Sequence, residues 1–152
     1  FVGRVDEGIA ITKDALAGVT RENDRPAMGW LLCNLGLFHQ ITNEFDVAKA
    51  MILAALRVVV EIHDHWLVAG CCDNLAGIAL HLNEPKRAAQ FLGCAEQIFG
   101  DIKLSRQPLF ARIAGAWAET ARGMLGSEAF AGEFAAGMVL SRAELFELAQ
   151  AL

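Results

Sequence analysis

His63-Asp64-His65 is the one place in this sequence where ligand-type side chains crowd together. Two imidazoles two residues apart around a carboxylate could hold a divalent cation if a third or fourth ligand came from elsewhere, or could supply a general base. His39 and His81 are far along the chain on other predicted helices, and no nucleophile with oxyanion donors stands at a workable spacing. Forty residues upstream the same positions read Asn23-Asp24-Arg25, so the aspartate is expected to cap a helix and the histidines to be solvated turn residues. Cys33, Cys71, Cys72 and Cys94 form no Cys-x-x-Cys pair. Adjacent Cys71 and Cys72 diverge by about 100° on a helix, which suits buried small hydrophobes in a reducing compartment better than a joint metal site. No Gly-x-x-x-x-Gly-Lys-[Ser/Thr] loop is present. The expectation is no enzyme, no catalytic residue, no cofactor and no metal. A metal-assisted hydrolase built on His63, Asp64 and His65 is the alternative.

The elements carrying these residues repeat. Asn34-Leu35-Gly36 returns at an offset of 40 as Asn74-Leu75-Ala76, Glu44 returns as Glu84, Ala48 as Ala88, Ala55 as Ala95 and Asp24 as Asp64. Asp46 matches Asp6, and Gly3, Asn43 and Asn83 share one position. A period of this length marks stacked helical units, each needing its neighbours to bury its apolar face. Ala48, Ile52, Ala55, Val59 and Ile62 follow helical spacing, as do Ala88, Phe91, Leu92, Ala95 and Ile98. Helices are predicted at about 4–20, 25–41, 45–62, 65–81, 85–99, 107–125, 128–138 and 142–151. Gly3, Asn43 and Asn83 are expected at positive φ between helices. Asp24 and Asp64 are expected N-caps, and Pro85 suits a first turn. After Gly100 the period fails: Asp101 to Ser105 reads as a linker, Pro108 starts a longer helix, Gly126 stops it, and Ser141 to Glu144 reads as a capping box.

Composition agrees with one all-α domain. Of the 152 residues 55% are hydrophobic and 20% charged, with no tyrosine and 3 prolines, which favours helix on helix. A net charge of −5 and the absence of a basic run argue against direct nucleic-acid binding. The apolar stretches are interrupted by Arg57, Glu61, Asp73 and Asn74, so no membrane span or signal peptide is expected.

Small residues at Gly36/Ala76, Gly8/Ala48/Ala88 and Ala15/Ala55/Ala95 sit where antiparallel helices would approach most closely, with Leu35/Leu75 between them. This pattern resembles the tetratricopeptide repeat, although the period of 40 exceeds that family's usual ~34. The resemblance implies a right-handed superhelix of antiparallel helix pairs with an irregular closing element, repeats over about 1–100 and closing helices over about 105–152. A narrower resemblance covers about residues 24–152. The run Lys86 to Glu96 with Gly93 inside it, then Met124 to Phe130 and Gly137 to Glu144, is similar to the C-terminal helical region of ATP-dependent LuxR-family transcriptional regulators and related bacterial signal-transduction ATPases. It implies a cytoplasmic interaction or effector-sensing domain whose partner is a protein, a peptide or a small effector. Aligning Gly3 with Asn43 puts Phe1 at the end of a helix whose body is absent. The sequence is therefore expected to be a piece of a larger protein and to self-associate, or fray, at its N-terminal end; a self-association scaffold is the second functional expectation.

Within such a fold the inner face of the first helix of each pair is the candidate groove. Trp30, Cys33, Leu37 and Gln40 form one stripe on helical spacing, Gly70, Asp73, Gly77 and His81 its neighbour, and Asn34 and Asn74 border it. The simpler reading leaves the asparagines satisfying backbone groups and Trp30 in the core. Trp117 with Phe110, Ile113 and Ala114 reads as packing of the closing helix, and Phe130, Phe134, Leu145, Phe146 and Leu148 as a hydrophobic seal.

Overall fold

Every helix in the first two thirds of the chain ends the same way. In the computed structural model, which describes residues 2–152, Asn23, Asn43, His63, Asn83 and Lys103 all have φ between 54 and 62°, one left-handed residue every 20 positions. At each the amide of the next residue reaches back to the carbonyl five before it: Asp24 to Val19, Glu44 to His39, Asp64 to Val59, Glu84 to Ala79 and Leu104 to Phe99, at 2.8–3.2 Å. The left-handed residue's own amide reaches the carbonyl three before it at 3.0–3.2 Å, and the two bonds together are the Schellman arrangement, which satisfies carbonyls that a helix end would otherwise leave orphaned. At the first four turns the residue after the left-handed one is also the N-cap of the next helix. Asp24 and Asp64 accept the amides of Ala27 and Leu67 at 3.1 and 3.0 Å. A helix is thus stopped, reversed and restarted within three residues, so consecutive helices must lie antiparallel.

The helices are α1 Val2–Glu22, α2 Arg25–Ile41, α3 Phe45–Glu61, α4 His65–His81, α5 Pro85–Ile102, α6 Pro108–Leu125, α7 Ser127–Met138 and α8 Arg142–Gln150. The fold is all-α among the described residues. Each of α1 to α5 packs on the next, while α2 also touches α4 and α4 touches α6, which aligns the first helices of successive pairs. Gly29 and Gly36 on α2 let α3 come close: a Cβ at Gly29 would lie 2.5 Å from Val59, and one at Gly36 would strike Ile52. Ala48, Ala55, Ala88 and Ala95 are fully buried. α7 lies against the far side of α5 so closely that a Cβ at Gly93 would strike the Phe134 carbonyl and one at Gly137 the Gln90 carbonyl. Phe130, Leu145 and Ala149 close the core, with Phe134, Phe146 and Leu148 packed on it. The capping box of Ser141 and Glu144 starts α8.

Three expectations need correction. Gly3 lies inside α1 and not in a turn, because a left-handed residue is required only where one helix hands over to the next and no described helix precedes α1; Phe1 lies outside the described residues. Ala15, unlike Ala55 and Ala95, is exposed, since α1 packs principally on α2 and nothing covers that face. Asp101 and Ile102 belong to α5, which runs on to a left-handed stop at Lys103. Turn residues recur every 20 positions as well as every 40, and His63, expected in a turn, takes the same left-handed conformation as Asn43 and Asn83.

Candidate functional site

The aligned helices α2, α4 and α6 line a slot with about 700 Å³ of empty space, open solvent at its mouth included. From α2 it is lined by Trp30, Cys33, Asn34 and Leu37, and from α4 by Trp66, Leu67, Gly70, Asp73 and Asn74. Phe99 of α5, Arg106 and Gln107 of the following loop, and Phe110, Ile113 and Trp117 of α6 complete it. All 3 tryptophans of the chain line this slot, one from each of three helices. Trp30 is 51% exposed, which decides against a core role for it.

The polar floor is an ion pair. Arg106 donates from Nε to Asp73 Oδ2 at 2.7 Å and from Nη2 to Oδ1 at 3.0 Å, and from Nη1 to Glu96 at 2.7 Å. Its guanidinium also lies 4.7 Å from the centre of the Phe99 ring, a cation–π contact. Burial pushes the Asp73 carboxyl up, and Arg106 opposes that push. Burial likewise works against the Arg106 charge, but Asp73 and Glu96 outweigh it and hold that charge firmly. The pair ties the irregular loop after α5 to the middle of α4.

Beside it, Asn74 is fully committed. Its Nδ2 donates to the Gly70 carbonyl at 2.9 Å and approaches Cys33 Sγ at 3.6 Å, while its Oδ1 accepts from Gln40 Nε2 at 2.9 Å. Asn74 therefore satisfies backbone and braces α2 against α4. Asn34, its counterpart one repeat earlier, makes no side-chain hydrogen bond among the described residues and lines the open slot. Gln40 acts behind the wall, and Gly77 is covered by Gln40 and Trp117, 2.6 Å from where its Cβ would be. Gly70 differs: the nearest atom to a Cβ there is Cys33 Sγ at 3.9 Å, so its missing side chain leaves space in the slot.

Of the eight candidate groove residues, Trp30, Cys33, Asn34, Leu37, Asp73 and Asn74 line one slot and Gln40 supports it. His81 is elsewhere: it is the last residue of α4, exposed, and stacks on Phe45 with ring centroids 3.3 Å apart. The stripe fails there because α4 ends and the neighbouring ring is the first residue of α3. Phe110, Ile113 and Trp117 are wall residues of the slot rather than mere packing. Arg106 and Gln107 were missed altogether, since a loop outside the repeat carries no periodic signal; Asp73 facing the groove with no repeat partner of opposite charge was the available clue.

The other candidates form no site. His63 occupies a left-handed turn and is exposed, and His65 approaches Arg142 at 3.4 Å. No group of three or more His, Cys, Asp or Glu is placed to hold a metal among the described residues. The four cysteines are buried as free thiols. Cys72 meets Cys94 with sulfurs 3.8 Å apart, and this contact together with burial raises the Cys72 thiol well above its ordinary value. Contact with Cys33 and burial do the same for Cys71. Both stay protonated, which suits them as small hydrophobes. No described helix is long and apolar enough to cross a membrane. Comparison with known proteins finds no matching family model, curated protein or solved structure.

Proposed function

We propose that this chain is the interaction or effector-sensing part of a cytoplasmic bacterial transcriptional regulator or signal-transduction ATPase. It would be built as a tetratricopeptide-like right-handed superhelix, binding without catalysing. The observation that carries this reading is the meeting of all 3 tryptophans in one slot, from α2, α4 and α6, around a neutralised ion pair and an uncommitted amide at Asn34. Apolar concave sites with a few placed polar groups are where ligands and partner side chains bind. Gly70 supports it: a mid-helix glycine costs about 1 kcal/mol relative to alanine, and no packing demands one here. A ligand bridging α2, α4 and α6 would favour one arrangement of these helices over another, and that differential affinity is what could be relayed to other modules.

Thermal melting of the parent and of Gly70→Leu tests this, in bacterial extract separated into a small-molecule filtrate and a protein fraction. The new side chain fills the slot on a helix that gains propensity. A melting shift given by either fraction to the parent and lost in the variant is expected, and the fraction responsible tells effector from protein partner. Equal behaviour of the two proteins in both fractions sinks the reading.

A second reading, a self-association scaffold, is favoured by one observation: α1 packs principally on α2, leaving Ile11 63% exposed. Such apolar surface tends to find cover. Light scattering of the parent and of Ile11→Glu distinguishes it; a dimer dispersed by the substitution supports the scaffold, and a monomer in both removes it.

A further inference from the structure

We infer that the slot selects uncharged, flat, ring-bearing small molecules and turns away ions, an inference that rests on the effector-site reading above. Five aromatic side chains, Trp30, Trp66, Phe99, Phe110 and Trp117, line one space from four different helices. Rings gain most from stacked or edge-to-face contact with other rings, and five rings around one space offer that contact from several directions.

Charge is excluded by the way the floor is closed. Among the described residues Asp73 and Arg106 are the only charged side chains lining the slot, and they are paired with each other, Arg106 also with Glu96. Both carboxylate oxygens of Asp73 accept from Arg106, and the remaining guanidinium arm is held by Glu96. The Asp73 and Arg106 side chains are 9% and 14% exposed, so the pair is well shielded from water. A ligand carboxylate or phosphate would have to share Arg106 with Asp73 and Glu96, whose two negative charges repel it, and taking the place of Asp73 would leave that carboxylate buried without a partner. An ammonium could gain Asp73 only by displacing Arg106, which would also give up its place over Phe99. An ion that displaced neither would give up hydration water for a lining without a free counter-charge, a cost that the ring faces offset in part for a cation and not for an anion.

What the slot does offer is amide. Asn34 has its donor and acceptor both free among the described residues, and Gln107 stands exposed on the same lining. The preferred ligand therefore carries a ring system with one or two neutral hydrogen-bonding groups, such as a hydroxyl, a carbonyl or a ring nitrogen, at its edge.

Three probes sharing one ring system test this: uncharged N-phenyl-naphthylamine, its sulfonate and its trimethylammonium derivative. Binding is read by quenching of tryptophan emission, which comes wholly from the slot, and by the rise in probe emission. The uncharged probe is expected to bind at least tenfold more tightly than either ion, with binding lost in Gly70→Leu and weakened severalfold in Trp30→Ala. The latter changes a half-exposed side chain and so keeps the fold even if Gly70→Leu does not. An ion binding as tightly as the neutral probe, and lost in the same variants, overturns the ligand class while leaving the slot as an effector site. Failure of all three to bind, or binding that neither variant alters, overturns the inference outright. The extract experiment then decides separately whether the slot is an effector site at all.

Discussion

Helices α4 and α6 face each other across the slot and are held in opposite ways. α4 has twelve of its 17 residues buried and is packed by α2, α3, α5 and α6. α6, one residue longer, buries only Ala114 and Ala121. On its other flank lies an open groove shared with α5 and α7, lined in part by Ala111, Ala114 and Gly115. The slot therefore has one wall that is itself part of the core and one that rests on the core through few buried residues, Ala114 and Ala121. That is what a binding element needs if occupancy is to change its shape, because the least stable elements are those that shift at low cost.

The sharpest way to break the comparison is to overfill the core around α4, on its neighbours α2 and α5. Gly36→Leu and Ala88→Leu insert side chains where Ile52 or a fully buried surface already stands, costing about 1–3 kcal/mol or more and lowering the melting temperature by roughly 3–10 °C. Gly115→Leu on α6 meets nothing within 4 Å and should leave it unchanged or raise it. Equal losses at all three positions would mean that α6 is as tightly constrained as the helices packed around α4.

An effect of the same order is expected at the tether between the two walls. Arg106→Leu strips Asp73 of its partner and leaves a buried carboxylate, costing about 2–4 kcal/mol in denaturant titrations; most of that should return in the double variant that also carries Asp73→Leu. An additive double variant would show that the pair does not couple the loop to α4.

Hydrogen exchange reads the difference directly. Amides in the middle of α6 should exchange faster than those around Leu75 in α4, and faster still in Arg106→Leu. Matching protection of the two helices would end the idea of a mobile wall.

The smallest effect concerns acid. The hydrogen bond from His39 at 2.6 Å, and then that from Thr42, hold the Glu44 carboxyl below its ordinary value of 4.5. The backbone amide and then the hydroxyl of Ser141 do the same for Glu144. A carboxylate depressed by folding adds stability that is fully present above its unfolded value and is lost as pH falls through its folded one. Melting temperature should therefore decline below about pH 4.5, and less steeply in Glu44→Gln and Glu144→Gln. Since Glu44 joins α2 to α3 and Glu144 starts α8, neither change should touch the slot.

How far the sequence could be read depended on how local the cause was. Helix existence, the caps at Asp24 and Asp64, the capping box at Ser141 and the left-handed turns at Asn43 and Asn83 all follow from residues within one turn of each other, and all were legible. The 40-residue echo placed the small residues at Gly36, Ala48 and Ala88, because a repeat imposes the same close approach at each step. The far wall of the slot was not legible. Arg106 follows a helix that ends outside the repeat, Trp117 sits on a helix with no repeat partner, and they meet Asp73 and Trp30 only because α6 folds back onto α4. No periodicity encodes that return. Backbone hydrogen bonding and helix propensity fix the elements from sequence, whereas the slot's aromatic lining and cancelled charge exist only once distant segments share space, and only tertiary packing brings them there.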